Sequence, residues 1–155
     1  MTNFTQPNRA LPFAFAIALL FSSAAFAVDE VNADKTGLAI GGYDPVSYFV
    51  GKPAKGSYKI TATHQGATYR FATEANRKRF QKNPTHYAPQ YGGYCAFGVG
   101  LGKKFSADPT VWKVVDGKLY LNLDTDIARL FDKGLDENIA KADKHWKNIS
   151  DKAAK

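Results

Sequence analysis

The chain has no second cysteine. Cys95 stands alone among 155 residues, so no disulfide can close within the molecule. The thiol is therefore buried and inert, free and reactive, bound to a metal, or paired with another molecule. Methionine is as scarce: Met1 is the only one, which removes the thioether ligands expected of a soft-metal carrier of the methionine-rich kind. Long apolar runs are missing after the first, Leu11 to Phe26, and nothing later reads as a membrane span. There is no extended block of like charge. The net charge of +7 is spread along the chain, and the one basic cluster, Arg77-Lys78-Arg79, reads as a solvated helix face and not as a nucleic-acid surface. No Ser-His-Asp set can be assigned. Gly98-Val99-Gly100-Leu101-Gly102 lacks the Lys-Ser/Thr of a phosphate loop, and its glycines suit a compact loop with positive φ angles. Asp124 and Asp126 read as helix-start residues.

What is present begins with a leader. Arg9 gives a positive start, the apolar run follows, and Ala25-Phe26-Ala27 is a small-x-small cleavage site, which together read as a secretory signal peptide over residues 1–27. The alternative is an uncleaved N-terminal anchor, but a run of about sixteen residues is short of the roughly twenty that cross a bilayer as a helix. The remainder is one domain's worth of chain, residues 28–149, with 150–155 expected as a flexible tail. The expected location is periplasmic or secreted, with no stable membrane span after cleavage.

The fold class expected is α+β, a small antiparallel sheet from two β-hairpins with short helices packed on it. Asp44 caps, and Pro45 opens, a short helix that Gly51 ends. Tyr58, Ile60 and Ala62 alternate on one face of a strand with Lys59, Thr61 and Thr63 on the other, and Gln65-Gly66 turns the chain into a second strand, Ala67 to Ala72, read as carrying Tyr69 and Phe71 on opposite faces. Thr73 caps a helix, Glu74 to Lys82, anchored by Phe80 and stopped by Asn83-Pro84. Asp116-Gly117 closes the clearest hairpin, with Trp112, Val114, Leu119, Leu121 and Leu123 on its buried face. Asp124 opens a further helical segment through Ile127, Leu130 and Phe131. After Gly134 a last helix buries Ile139, Ala142, Trp146 and Ile149. No tandem repeat is convincing, although the two hairpin-then-helix units give a loosely doubled plan.

The chemistry-bearing residues meet in Pro84 to Lys104. Cys95 is a candidate thiolate ligand for Cu(I) or Zn(II), with His86 as its candidate partner across a glycine-rich stretch. The competing readings are a cysteine buried among Tyr94, Phe97 and Val99, a redox-active thiol, and a His86 that serves the nearby helix C-terminus. His64 at the hairpin turn and His145 beside Trp146 read as solvated. Tyr43, Tyr48, Tyr87, Tyr91, Tyr94 and Phe97 read as core, or as a shallow pocket for a small apolar or haem-like ligand.

These residues carry a family likeness. Gly42-Tyr43-Asp44-Pro45-Val46, Gly66-Ala67-Thr68-Tyr69-Arg70-Phe71, Phe80 and Asn83-Pro84-x-x-Tyr87 resemble the YHS domain over about residues 39–87. Tyr91-Gly92-Gly93-Tyr94-Cys95-Ala96 is similar to the signature of its exported, stand-alone members. The resemblance implies a small α+β module. In that group metal binding is attributed to a cysteine just before the proline of the first motif and to two more around the strand-to-helix junction. Here the first position is Asp44 and the junction, Phe71-Ala72-Thr73-Glu74-Ala75-Asn76, has no cysteine, so the thiolate site implied by the family is missing. The expectation is an exported accessory or binding module that is not an enzyme, engaging an envelope protein or a metal, Cu(I) or Zn(II), through Cys95 and His86. The alternative is a protein- or small-ligand-interaction module with Cys95 in its core and no metal.

Overall fold

Asp44 shows how short-range and long-range order meet in this chain. The computed structural model describes Met1 and residues 30–154; the expected leader lies outside the described residues beyond Met1. Asp44 caps a 3-10 helix, Pro45–Val50, by accepting from the Val46 amide, and Gly51 closes it at φ 69. Strand β1 (Ser57–His64) then pairs antiparallel with β2 (Ala67–Phe71) across Gln65-Gly66. Both turn residues take positive φ, 48 and 77, the pair of left-handed positions a tight hairpin requires. Thr73 accepts from Asn76 to start α1 (Glu74–Lys82), and Asn83 ends α1 and caps α2 (Pro84–Tyr87).

After a short 3-10 segment, Gln90–Gly93, come α3 (Ala96–Gly100), β3 (Asp108–Val115), β4 (Lys118–Asn122), α4 (Thr125–Lys133) and α5 (Leu135–Ile149). The architecture is α+β. The hairpins do not merge into one sheet; each remains a two-stranded antiparallel sheet with helices around it. No helix among the described residues is long and apolar enough to cross a membrane.

Several side chains point elsewhere than their pattern suggests. Tyr58 is 71% exposed because the β1–β2 register slips between Ser57 and Thr61, and a bulge breaks strict alternation. Tyr69 and Phe71 share one buried face with Ala67, as residues two apart on a strand must. Leu123 falls past the end of β4 and is 44% exposed, as is Leu130 on α4. His64 is half-buried against Tyr69 and Phe80, with ring centroids at 6.5 and 5.9 Å. Gly98 and Gly100 of the glycine-rich segment fall in α3, while Leu101 and Gly102 form the turn after it, with Gly102 at φ 73. A Cβ on Gly100 would sit 3.4 Å from the Asn138 carbonyl oxygen of α5, so the missing side chain lets the two helices approach.

The doubled plan is far tighter than the sequence suggests. β1 and β3, β2 and β4, and α1 and α4 have equal lengths and lie 51 positions apart without insertion or deletion. The bulge recurs at Asp108/Trp112, 51 residues after Ser57/Thr61. The bridge Tyr43 to Lys55 recurs as Tyr94 to Ser106, and the Asp44 amide bond to Ala54 recurs as Cys95 to Phe105. Ile40-Gly41-Gly42 and Tyr91-Gly92-Gly93 each run through three positive φ angles. Few identities survive, among them Gly41/Gly92, Tyr43/Tyr94, Gly66/Gly117, Tyr69/Tyr120 and Phe80/Phe131, which is why the pattern is faint in the sequence.

Two apolar clusters result, and β4 feeds both. Leu119 and Leu121 join Tyr48, Tyr69, Phe71 and Phe80 in the first. Tyr120, on the opposite face, joins Tyr91, Tyr94, Val99 and Phe131 in the second. The face of the first unit around Gly41 and Tyr48 is covered by Pro109 and Trp112 of β3, with Tyr48 donating to the Pro109 carbonyl at 2.8 Å. On the second unit the corresponding face is covered by Ala142 and Trp146 of α5 and, at Gly92, by Glu30 and Val31.

Candidate functional site

The repeat decides what Cys95 does. Its position corresponds to Asp44, and both residues are N-caps: the Asp44 carboxylate accepts from Val46 at 2.9 Å, and the Cys95 sulfur accepts from the Gly98 amide at 3.4 Å. Asp44 reaches further, accepting from the Ala72 amide at 2.9 Å and from Asn76 Nδ2 at 2.7 Å. It thereby joins the 3-10 helix to the junction of β2 and α1. Cys95 makes the equivalent link in the second unit by donating its thiol proton to Asn122 Oδ1 at 3.7 Å, while Asn122 also accepts from the Phe97 amide at 3.2 Å. Both residues are fully enclosed, Asp44 at 0% and Cys95 at 1% exposure.

The electrostatics follow from that enclosure. Burial pushes the Cys95 thiol up from its ordinary value, against the opposing pull of the Gly98, Leu123 and Phe97 amides. A thiol held in its neutral form is a weak nucleophile and a poor metal ligand, since the thiolate does both tasks. Burial likewise pushes the hydroxyls of Tyr48, Tyr69 and Tyr91 up; Tyr91, which donates to Asp143 at 2.9 Å, is raised further by that carboxylate.

His86 is exposed. Its ring packs on Phe49 at 5.0 Å and Tyr87 at 4.6 Å, and its backbone amide donates to the Asn83 side chain. A Cβ on Gly117 would lie 3.7 Å from His86 Cε1, so His86 sits beside the turn of the β3–β4 hairpin. Cys95 bridges Leu121, four residues along β4, or about 13 Å at a strand's rise. The structure thus places the two candidate ligands at opposite ends of one strand. Among the described residues no group of three or more His, Cys, Asp or Glu side chains is placed to hold a metal ion. Asp44, where the YHS resemblance implies a thiolate, is a carboxylate whose oxygens already accept from three protein donors, so that position does not fit a soft-metal site.

The aromatic residues do not line one pocket. Tyr48 belongs to the first cluster and Tyr91 and Tyr94 to the second. His64 and Tyr91 border a polar cavity of about 250 Å3 with Thr85, Gln90 and Trp146, and burial lowers the His64 pKa. Sequence reasoning missed a second concavity, between the loop after α3 and the end of α5, lined by Lys103, Lys104, Phe105, Ile149 and Lys152. The adjacent lysines were its only signal. Compared with protein-family models, with curated proteins and with solved structures, the chain gives no match in any of the three.

Proposed function

We propose that the protein is an exported binding or accessory module of YHS type, working in the periplasm or outside the cell, which engages a partner or small ligand through its surface and uses Cys95 as an internal strut. The observation that carries this reading is the equivalence of Cys95 and Asp44. Each is an enclosed helix cap that links its helix to the strand-to-helix side of its own unit. A residue in that role has a structural reason to be present. The proposal includes no catalysis, because the thiol lies far along β4 from His86 and burial holds it in its neutral form.

The test sets the two original readings against each other. Mature protein is purified without oxygen and offered Cu(I) and Zn(II), wild type beside Cys95→Ser, while a thiol reagent is applied to native and urea-unfolded wild type. The module reading expects labelling only on unfolding and no stoichiometric metal binding that depends on Cys95. Rapid native labelling, or tight one-to-one binding lost in Cys95→Ser, would replace it with the soft-metal reading.

A further inference from the structure

The loop after α3 and the end of α5 enclose a concavity of about 430 Å3, within the range of small-ligand sites, about 300–1,000 Å3. Among the described residues its lining carries three ammonium groups, Lys103, Lys104 and Lys152, and no carboxylate, over an apolar floor of Phe105 and Ile149. Lys104 builds the site. It is 6% exposed, its Nζ donates to the Ser150 carbonyl at 3.0 Å and to the Lys152 carbonyl, and it lies over the rings of Tyr94 and Trp146 at 5.0 and 5.5 Å. Those bonds hold the segment bearing Lys152 against the loop bearing Lys103, and they neutralise the carbonyl end of α5, which would otherwise repel an anion. Lys103 and Lys152 themselves are exposed.

We propose that this concavity binds a small amphiphilic anion, with a carboxylate head between Lys103 and Lys152 and a short apolar body on Phe105 and Ile149. The assignment rests on the binding-module reading and gives it a ligand class. Charge of one sign above an apolar floor selects for both halves of such a molecule: a simple anion leaves the floor wet, and an amine of the same length meets like charge. Concavity favours a small ligand over a lipid surface, since a planar bilayer would touch protruding side chains such as Leu101, 60% exposed, and leave the hollow empty.

The experiment titrates labelled protein with octanoate, acetate and octylamine, and separately with vesicles of anionic phospholipid, following the amide signals of Gly102 to Phe105 and Ile149 to Lys152. The expected result is a saturable shift of both segments with octanoate and at least tenfold weaker binding of acetate and octylamine. Octanoate affinity should fall at least tenfold in Lys103→Gln/Lys152→Gln, whose exposed positions leave the fold intact. Equal binding of octylamine, an unchanged affinity in the double variant, or a response to vesicles alone overturns the proposal. Cys95 labelling on the same sample keeps the two readings apart. No octanoate binding with Cys95 protected removes only the ligand assignment, whereas fast labelling removes the module reading beneath it.

Discussion

Asp44 and Cys95 perform one task with two chemistries, and their substitutions should separate accordingly. Asp44→Ala strands the Val46 and Ala72 amides and the Asn76 amide group, three donors that now share one carboxylate. Leaving a buried donor unsatisfied costs about 1–3 kcal/mol; the Val46 bond is buried and the other two are part-buried, so a loss of about 2 kcal/mol or more is expected in urea unfolding, and a loss under about 1 kcal/mol would refute the strut role. Cys95→Ser keeps a cap acceptor and a hydroxyl proton for Asn122, and should stay within about 1 kcal/mol of wild type. The buried phenols and thiol set the alkaline limit. Their folded pKa values are raised, so the stability from keeping them neutral is whole below the unfolded values, 9.0 for cysteine and 10.0 for tyrosine, and is lost as pH rises above them. Urea midpoints should hold from pH 7 to about 9 and then fall; an unchanged midpoint at pH 11 would contradict this. At this scale the sequence was legible where chemistry is local. Asp44 beside Pro45 announces a cap, but its bond to Asn76 joins residues 32 apart and leaves no local trace.

Among the elements, turns and caps were the readable parts. Gln65-Gly66, Asp116-Gly117, Thr73, Asp124 and Gly134 mark their boundaries because glycine and short polar side chains have few conformational alternatives. The bulges were hidden, since a slipped register changes which side chains face inward without changing composition. Gly56 shows the consequence. A Cβ there would lie 2.4 Å from the Arg70 carbonyl carbon and 2.5 Å from the Phe71 nitrogen, whereas its counterpart 51 positions on, Ala107, already carries one. Gly56→Ala should destabilise by about 1–3 kcal/mol through displaced backbone, against a cost of about 0.5–1 kcal/mol for Ala107→Gly. Equal costs in thermal unfolding would mean that the hairpins do not differ there. The region around Cys95 was read as a loop because glycines argue against helix; what overrides that propensity is α5, packed where Gly100 leaves room, and α5 lies some forty residues away in the chain.

For the whole molecule, β4 ties the units together. With Leu119 and Leu121 in one core and Tyr120 in the other, neither unit can open alone without exposing the other's apolar residues. Unfolding should be a single transition followed identically by far-ultraviolet and tryptophan signals, and two separated transitions would deny the shared strand. A fragment of residues 30–87, lacking Leu119, Leu121 and the Trp112 cover, should show no cooperative unfolding of its own.

The covering of the two faces bears on what the chain could become. Pro109 and Trp112 of the second unit close the first, and α5, together with Glu30 and Val31 at Gly92, closes the second where a third unit would otherwise lie. The arrangement is therefore directional, with a donor side and an acceptor side, and α5 is its terminator. Remove that helix and the molecule keeps an acceptor with nothing to accept, the condition from which head-to-tail polymers grow.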